Sequence, residues 1–524
     1  MGARLKRWLF LVHRWLGIGV CLLFAMWFAS GLVMMYVGYP KLTEDERLQH
    51  LPPLQPDARL LAPGRALAVA GVDGELDALR LANASAGRPF YFATPVRPGT
   101  PAGHKPAPKG SGAIAIDAVT GQRLPQVDAR HALASAAAYA GPGATPRYLD
   151  TVDEDAFTHS RGLDAHRPLH RVQLHDPEHT LLWISSRSGE VVRDATRSER
   201  LWNYAGAWIH WLYPLRGNAF QPYWTDIVNW LSIAGIAVAV SGSVAGVLRW
   251  RFRRPYRSGA RTPYPGALMR WHHISGLLFA LVTITWIFSG LMSMNPWKIF
   301  DTGAPALNLQ ALQGGALVID GADAAPQALL AAVDGGVREL RWTRVLGRNR
   351  VLAQPAGGAP QVLDSHEARR AVLDAQALQQ AAGRLMAAPV ARTEVLRDYD
   401  LYYYQRDAHT MTGGADKPLP ILRIVFGDPH ATWVHLDPHT GAVLGRLDSG
   451  KRASRWLFAM LHSWDWLPLL ERRPLWDLVL IVLSLGGVLL SVTGVVIGWR
   501  RLGKKLGAQQ TAAQREATPQ ALAI

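Results

Sequence analysis

The sequence predicts an α-helical integral membrane protein with four main transmembrane helices, arranged as a tandem duplication about a pseudo-two-fold axis along the membrane normal, and with two external α+β domains. Three observations predict it. Four apolar stretches reach the roughly 20 residues that a bilayer core requires. Basic residues crowd the short segments beside those stretches. The chain also repeats itself at nearly constant offset. Of 524 residues 49% are apolar, and they are unevenly spread.

The apolar stretches run from about Trp8 to Tyr36, Tyr223 to Leu248, Leu268 to Met294 and Leu475 to Trp499. The first reads as an uncleaved anchor, because its run far exceeds the 7–15 residues of a signal-peptide core. Phe28-Ala29-Ser30 is also a poor small-residue cleavage site. The expected organisation is a transmembrane helix in 1–40, an external domain in 41–200, an interfacial His-containing segment in 201–222 and a second transmembrane helix in 223–249. A basic linker follows in 250–267, then a third helix in 268–295 and a second external domain in 296–453. A second interfacial His-containing segment in 454–472, a fourth helix in 473–500 and a tail in 501–524 complete the chain.

The net charge of +16 is a topology signal. Arg4, Lys6 and Arg7 precede the first stretch, and Arg249, Arg251, Arg253, Arg254, Arg257 and Arg261 fill the short linker. Arg500, Arg501, Lys504 and Lys505 follow the fourth stretch. Basic residues in short loops beside spans mark the cytosolic side, so both termini are expected inside and both inserts outside, facing lipid between. No nucleic-acid partner is expected. The single cysteine, Cys21, lies within the first stretch, so the external domains must be stable without disulfides.

At an offset of 259, His13 falls on His272, Gly17 on Gly276, and Ser30-Gly31-Leu32 on Ser289-Gly290-Leu291. At an offset of 252, Asp176-Pro177 falls on Asp428-Pro429, His210 on His462, Trp224 on Trp476 and Gly242 on Gly494. Each unit is span, external domain, aromatic segment, span. Two units of equal topology imply an axis along the membrane normal, as in parallel-repeat transporters.

That axis brings His13 opposite His272 near the cytosolic surface and His210 opposite His462 near the outer one. Ionisable groups at such depths usually mark a pathway or a cofactor. Two opposed imidazoles on facing helices suit the axial positions of a b-type haem, so two haems b are expected, with these four histidines as iron ligands. Gly17 and Gly276 lie four residues after the inner histidines, on the same helix face. Gly31 and Gly290 lie five turns beyond the inner histidines, about 27 Å along the axis at 1.5 Å per residue. All four glycines are therefore candidate cofactor-contact positions. His273 pairs with Arg14 in the repeat, which singles out His272 of the two adjacent imidazoles. Zinc fits less well, since no Cys or carboxylate accompanies the histidines. Met35 and Met294 are repeat partners that read as packing residues, with axial ligation as the alternative.

In the inserts, 435–448, 116–124 and 184–194 alternate, turn at Gly and alternate again, which reads as hairpins. Helices are expected in ARHALASAAAYAG and LDAQALQQAAGRL. His159, His166, His170, His175 and His179 are irregularly spaced among arginines and read as a solvated surface, with metal binding as the alternative. Tyr402, Tyr403 and Tyr404 either offer a docking face or pack a strand.

The combination resembles the PepSY-associated transmembrane helix family, the iron-regulated inner-membrane proteins that include bacterial ferric-siderophore reductases. The residues that carry the resemblance are HRWLG at 13–17, YYY at 402–404 with LPILRIVFGDP at 419–429, WVHLDPHTGAVLG at 433–445, RWLFAMLHSWDW at 455–466 and TGVVIGWRR at 493–501. The resemblance implies two periplasmic PepSY-like domains, a bacterial inner-membrane location, and haem-mediated electron transfer to a periplasmic ferric siderophore or similar ferric chelate. ISSRSGEVV departs from the pattern by lacking the Asp of DPxTG, which puts a binding role of that copy in doubt.

The chain contains no G-x-G-x-x-G and no P-loop, so electrons must come from a separate donor, a cytosolic reductase or quinol. The expected function is a haem-dependent ferric-siderophore reductase. The alternatives are a non-enzymatic PepSY module that binds peptides or inhibits a peptidase, and a component of iron-chelate uptake. Monomer and homodimer are both compatible with the sequence.

Overall fold

The computed structural model describes residues 2–96, 112–406 and 417–517, the last seven as backbone only. Residues 518–524 of the expected tail lie outside the described residues. Among the described residues three continuous helices are long and apolar enough to cross a membrane: Ala3–Met34, Gln221–Arg249 and Leu475–Gln510. The third expected span is instead a pair, Ala267–Leu278 and Ala280–Ser293, bent by 66°. Its hinge is Phe279 (φ −102°, ψ 11°). The Phe279 ring lies directly on Gly486 of the last helix, and the Phe28 ring lies on the adjacent Gly487. Two successive glycines open a notch that admits two aromatic rings, and the bent helix fills it.

The first helix packs on the second and the last, the second packs on both arms of the bent pair, and the last packs on Ala267–Leu278. Val20, Phe24, Phe28, Val238 and Ile287 are buried where these helices meet. Many remaining apolar side chains, such as Leu22, Trp230, Leu281 and Val482, are exposed in the isolated chain. An apolar outer face of this kind is what contact with lipid tails requires.

The first insert contributes β1 (Leu76–Ser85), β2 (Arg88–Pro95), β3 (Ile114–Asp117), β4 (Arg147–Val152), β5 (Leu169–Gln173), β6 (Leu181–Ser185) and β7 (Val191–Ala195). The second contributes β8 (Val337–Val345), β9 (Arg348–Pro355), β10 (Gln361–Asp364), β11 (Val390–Leu396), β12 (Ile421–Phe426), β13 (Trp433–Leu436) and β14 (Val443–Leu447). Two four-stranded sheets run β4-β5-β6-β7 and β11-β12-β13-β14. The expected helices lie at Ala129–Ala140 and Ala375–Ala382.

The remaining strands form one six-stranded sheet, β10-β9-β8-β1-β2-β3. Strand β1 of the first insert pairs antiparallel with β8 of the second, Leu79 against Trp342 and Ala82 against Glu339. The inserts are thus joined by backbone hydrogen bonds over a common core that includes Leu81, Tyr91, Leu340 and Trp342. Glu339 is fully buried at this seam and meets Arg47 at 2.8 Å, Arg80 at 3.3 Å and Arg341 at 2.7 Å.

The hairpin at 435–448 turns on Gly441 (φ +74°), and the one at 184–194 turns on Gly189 (φ +71°). Asp437 caps its turn by accepting from the backbone of His439 and the hydroxyl of Thr440. Ser185 occupies the same turn position in the first insert and accepts from the backbone of Arg187 and Ser188. The departure of ISSRSGEVV from the DPxTG pattern therefore leaves the turn intact, because a hydroxyl does the capping there.

Candidate functional site

His13 lies near the start of the first helix and His272 in the first arm of the bent pair. Their ring centres are 6.5 Å apart at an interplanar angle of 32°. His210 and His462 follow two widened π-helical turns, Tyr204–Trp208 and Arg455–Met460. Such turns are rare and frequent at functional sites. The rings of His210 and His462 lie 6.3 Å apart at 75°.

Each imidazole is held through Nδ1, and each contact occurs twice. His13 Nδ1 donates to the Val238 carbonyl at 3.2 Å, and His272 Nδ1 donates to the Leu490 carbonyl at 3.2 Å. Thr493 Oγ1 adds a contact to His272 Nδ1 at 3.1 Å. His210 Nδ1 meets Ser30 Oγ at 2.9 Å and His462 Nδ1 meets Ser289 Oγ at 3.0 Å. The one proton of each hydroxyl is already directed to a backbone carbonyl, Ser30 to Met26 and Ser289 to Trp286. The serines are thereby placed to accept from Nδ1–H. A carbonyl can only accept, so His13 and His272 are protonated at Nδ1 with the lone pair on Nε2, and the outer pair is placed for the same tautomer.

That is the state of a metal-ligating histidine, whose second nitrogen donates to a fixed acceptor. A metal about 2.0–2.1 Å from one nitrogen of each of two opposed imidazoles keeps the ring centres roughly 6.3 Å apart. Both pairs match this spacing. Axial ligation leaves each ring free to rotate about the ligand axis, so 32° and 75° are equally compatible with it. The histidine spacing fits bis-histidine ligation at both depths, and the outer pair also lines a cavity.

His273 is different. Its Nε2 donates to the Gly246 carbonyl at 2.9 Å, and its Nδ1 meets the Thr262 hydroxyl at 2.8 Å. It is buried between Trp250 and Tyr264. Both nitrogens are used, so His273 ties the basic linker to the second and third spans.

The expected glycines separate by depth. A methyl built on Gly31 would lie 3.8 Å from His210, and one on Gly290 would lie 3.7 Å from His462. Gly17 and Gly276 face the side chains of Val238 and Leu490 instead, the residues whose carbonyls hold the inner histidines. The glycines that face the inner imidazoles are Gly242 and Gly494 of the second and last helices. They and the two serines are repeat partners, and that symmetry was the available signal for them. The carbonyl anchors carry no side-chain signal at all.

A cavity of about 380 Å³ opens between the outer pair, lined by His210, His462, Gly31, Gly290, Tyr213 and Trp224 among others. That volume lies in the range of small-molecule and cofactor sites. Met35 is buried against Trp476 and Leu480 and, like Met294, also lines the cavity. Repeat-related Trp27 and Trp286 line it too, but Trp27 Nε1 donates to the His210 carbonyl while Trp286 Nε1 is buried without an acceptor.

The histidine cluster of the first insert is not a solvated surface throughout. His159 and His170 are buried, His159 against Glu154 and His170 against Val127 and Tyr148. Among the described residues, the group close enough to share a metal ion is Asp320, Asp323 and His366, with no member of that cluster. Tyr403 and Tyr404 are buried and pack, so they offer no docking face. The Tyr404 hydroxyl donates at 3.0 Å to Asp465, three residues beyond His462. Burial raises the Asp465 carboxyl above the usual range, against the pull of Arg406 and Arg455.

The family model of the PepSY-associated TM region matches residues 10–346. No curated protein matches the chain.

Proposed function

The chain belongs to the PepSY-associated TM family of membrane proteins, and from that premise we propose that it is a di-haem electron-transfer protein of a bacterial inner membrane. In this reading it has four spans in two duplicated units about an axis along the membrane normal, with both termini cytosolic and two periplasmic PepSY-like domains. It reduces a periplasmic Fe(III)-siderophore or similar ferric chelate with electrons from a cytosolic reductase or quinol. The observation that carries the reading is the pairing: four imidazoles in two pairs at ligand spacing, every one anchored through Nδ1.

His13 and His272 would hold the inner haem and His210 and His462 the outer one. Haem b supplies a one-electron couple at each membrane depth. Val238 and Leu490 fix the inner imidazoles through their carbonyls, and Ser30 and Ser289 fix the outer ones. Buried Val20, Phe24, Phe28 and Ile287 form an apolar core in the helix bundle, which keeps water and ions out while electrons cross. Hard oxygen ligands hold Fe(III) more tightly than Fe(II), so one-electron reduction of the substrate loosens the metal, and no protein acid or base is needed.

The test is the optical spectrum of detergent-purified protein from haem-replete cells, oxidised and dithionite-reduced, with pyridine-haemochrome stoichiometry. A b-type α-band with two haems per chain is expected. A colourless protein overturns the reading and leaves a PepSY binding module as the better account.

Two further outcomes follow from the geometry. His273→Ala is expected to retain both haems, since neither nitrogen is available; loss of one haem would make it a ligand. Its cost appears as a lower melting temperature, because Thr262 and the Gly246 carbonyl lose a buried partner, worth about 1–3 kcal/mol. For the inner pair, a Gly242→Ala methyl would sit 2.5 Å from His13 Cε1, whereas Gly494→Ala places it 3.4 Å from His272 Cε1. The first must displace its imidazole and the second need not. Gly242→Ala is therefore expected to lower haem content or change the reduced spectrum, and Gly494→Ala to match wild type. Equal behaviour of the two would contradict the packing described.

A further inference from the structure

The charged residues around the outer cavity differ between the two halves. On the second-half side Arg406 meets Asp465 at 3.0 Å and Arg455 meets it at 3.5 Å. Arg406 also lies 5.0 Å above the ring of Trp476. At the 252-residue offset the first-half counterpart of Trp476 is Trp224, and the counterpart of Asp465 is Tyr213. The Arg216 guanidinium lies 5.0 Å above each of these two rings. Both rings line the cavity.

Arg216 thus repeats the cation over the tryptophan without the carboxylate. Among the described residues no carboxylate comes within ion-pair distance of it, and its Nε is buried with no acceptor. Aromatic faces attract a guanidinium, but they offer little to an N–H directed elsewhere. Arg216 is half-buried, so its guanidinium can still be reached by a ligand, and its planar fork matches a carboxylate through two parallel hydrogen bonds.

We propose that Arg216 is the oxyanion-binding residue at the mouth of the outer cavity and takes a carboxylate there. That chemistry has two sources, a haem propionate or a carboxylate of an anionic ferric chelate. The redox arms of the test rest on the function proposed above; the anion site itself does not.

The experiment compares the full-length wild type, Arg216→Gln and Arg216→Lys in detergent by redox titration, by steady-state reduction of ferric citrate, and by melting with and without citrate. If a propionate is the anion, Arg216→Gln lowers the midpoint potential of one haem, Arg216→Lys restores it, and KM for ferric citrate is unchanged. If the chelate is the anion, the potentials hold while Arg216→Gln raises KM about tenfold, as loss of a charged hydrogen bond would, with kcat kept and Arg216→Lys restoring it. In that arm citrate also raises the wild-type melting temperature, and Arg216→Gln abolishes the shift. Unchanged potentials, KM and citrate shift in Arg216→Gln overturn the proposal. A colourless wild type removes the haem reading alone; the site then survives if citrate stabilises wild type but not Arg216→Gln, and falls if it stabilises neither.

Discussion

His462→Ala is expected to purify with one haem per chain in place of two, with the remaining haem still low-spin and reducible. The effect is all-or-none because, among the described residues, no other imidazole lines the cavity between the outer pair, whose rings lie 6.3 Å apart. Met35 and Met294 line the same cavity, but Met35 is packed against Trp476 and Leu480 and would have to leave that core to ligate. His210→Ala should behave alike, since Ser30 holds it as Ser289 holds His462. His13→Ala should remove the inner haem and leave the outer spectrum in place. Ser289→Ala is the graded control: loss of the acceptor for Nδ1–H frees the tautomer and should weaken haem retention about 10–100-fold, the usual consequence of deleting such a partner. Pyridine-haemochrome assays with protein quantitation read all of these. Two haems retained in His462→Ala would sink the pairing.

Glu339→Ala is expected to destabilise the external region by about 1–3 kcal/mol, the cost of removing a buried hydrogen-bond partner. Its carboxylate meets Arg47 and Arg80 from the first insert and Arg341 from its own strand. Removal takes away the carboxylate the three guanidinium groups share at the β1–β8 seam, leaving Arg47 and Arg341 paired with Glu44 and Arg80 with Glu190. Burial by itself would raise this carboxyl, but the three arginines outweigh burial and hold it at about 2, below its ordinary 4.5. A carboxyl depressed in the folded state stabilises fully above its unfolded value and loses that contribution as pH falls through the folded one. The seam should therefore weaken between about pH 4.5 and 2. Melting curves of wild type across that window should converge toward those of Glu339→Ala. Parallel curves would mean that the arginine cluster contributes nothing at the seam.

Much of the candidate site was legible because duplication filtered it. Eighteen histidines compete for attention in the chain, and the two offsets select four that recur at matched depths. His273 shows the value of that filter. It is adjacent to His272 and chemically identical, yet its partners make it a strut. Side-chain identity alone could not separate Gly17 from Gly242, because both lie on a face of a span and the facing helix decides which of them an imidazole meets. The cluster from His159 to His179 was misread in part for the same reason. Spacing among arginines suggested solvent, whereas β5 carries His170 to the inside of its sheet.

The sequence by itself determined the apolar stretches, the hairpins with their glycine turns, the clustering of charge beside the stretches and the two histidine pairs that the fold brings together. Each of these depends on local periodicity or on a repeat, which can be read without knowing what packs on what. Tertiary structure alone decided the bend at Phe279, the sheet shared by the two inserts, and the protonation pattern of the ligand candidates. These depend on partners far away in the chain. The carbonyls that fix the inner imidazoles lie 225 and 218 residues from them, and a backbone carbonyl has the same chemistry in every residue. Only the fold determines which carbonyl an imidazole meets, and that meeting puts the lone pair on Nε2.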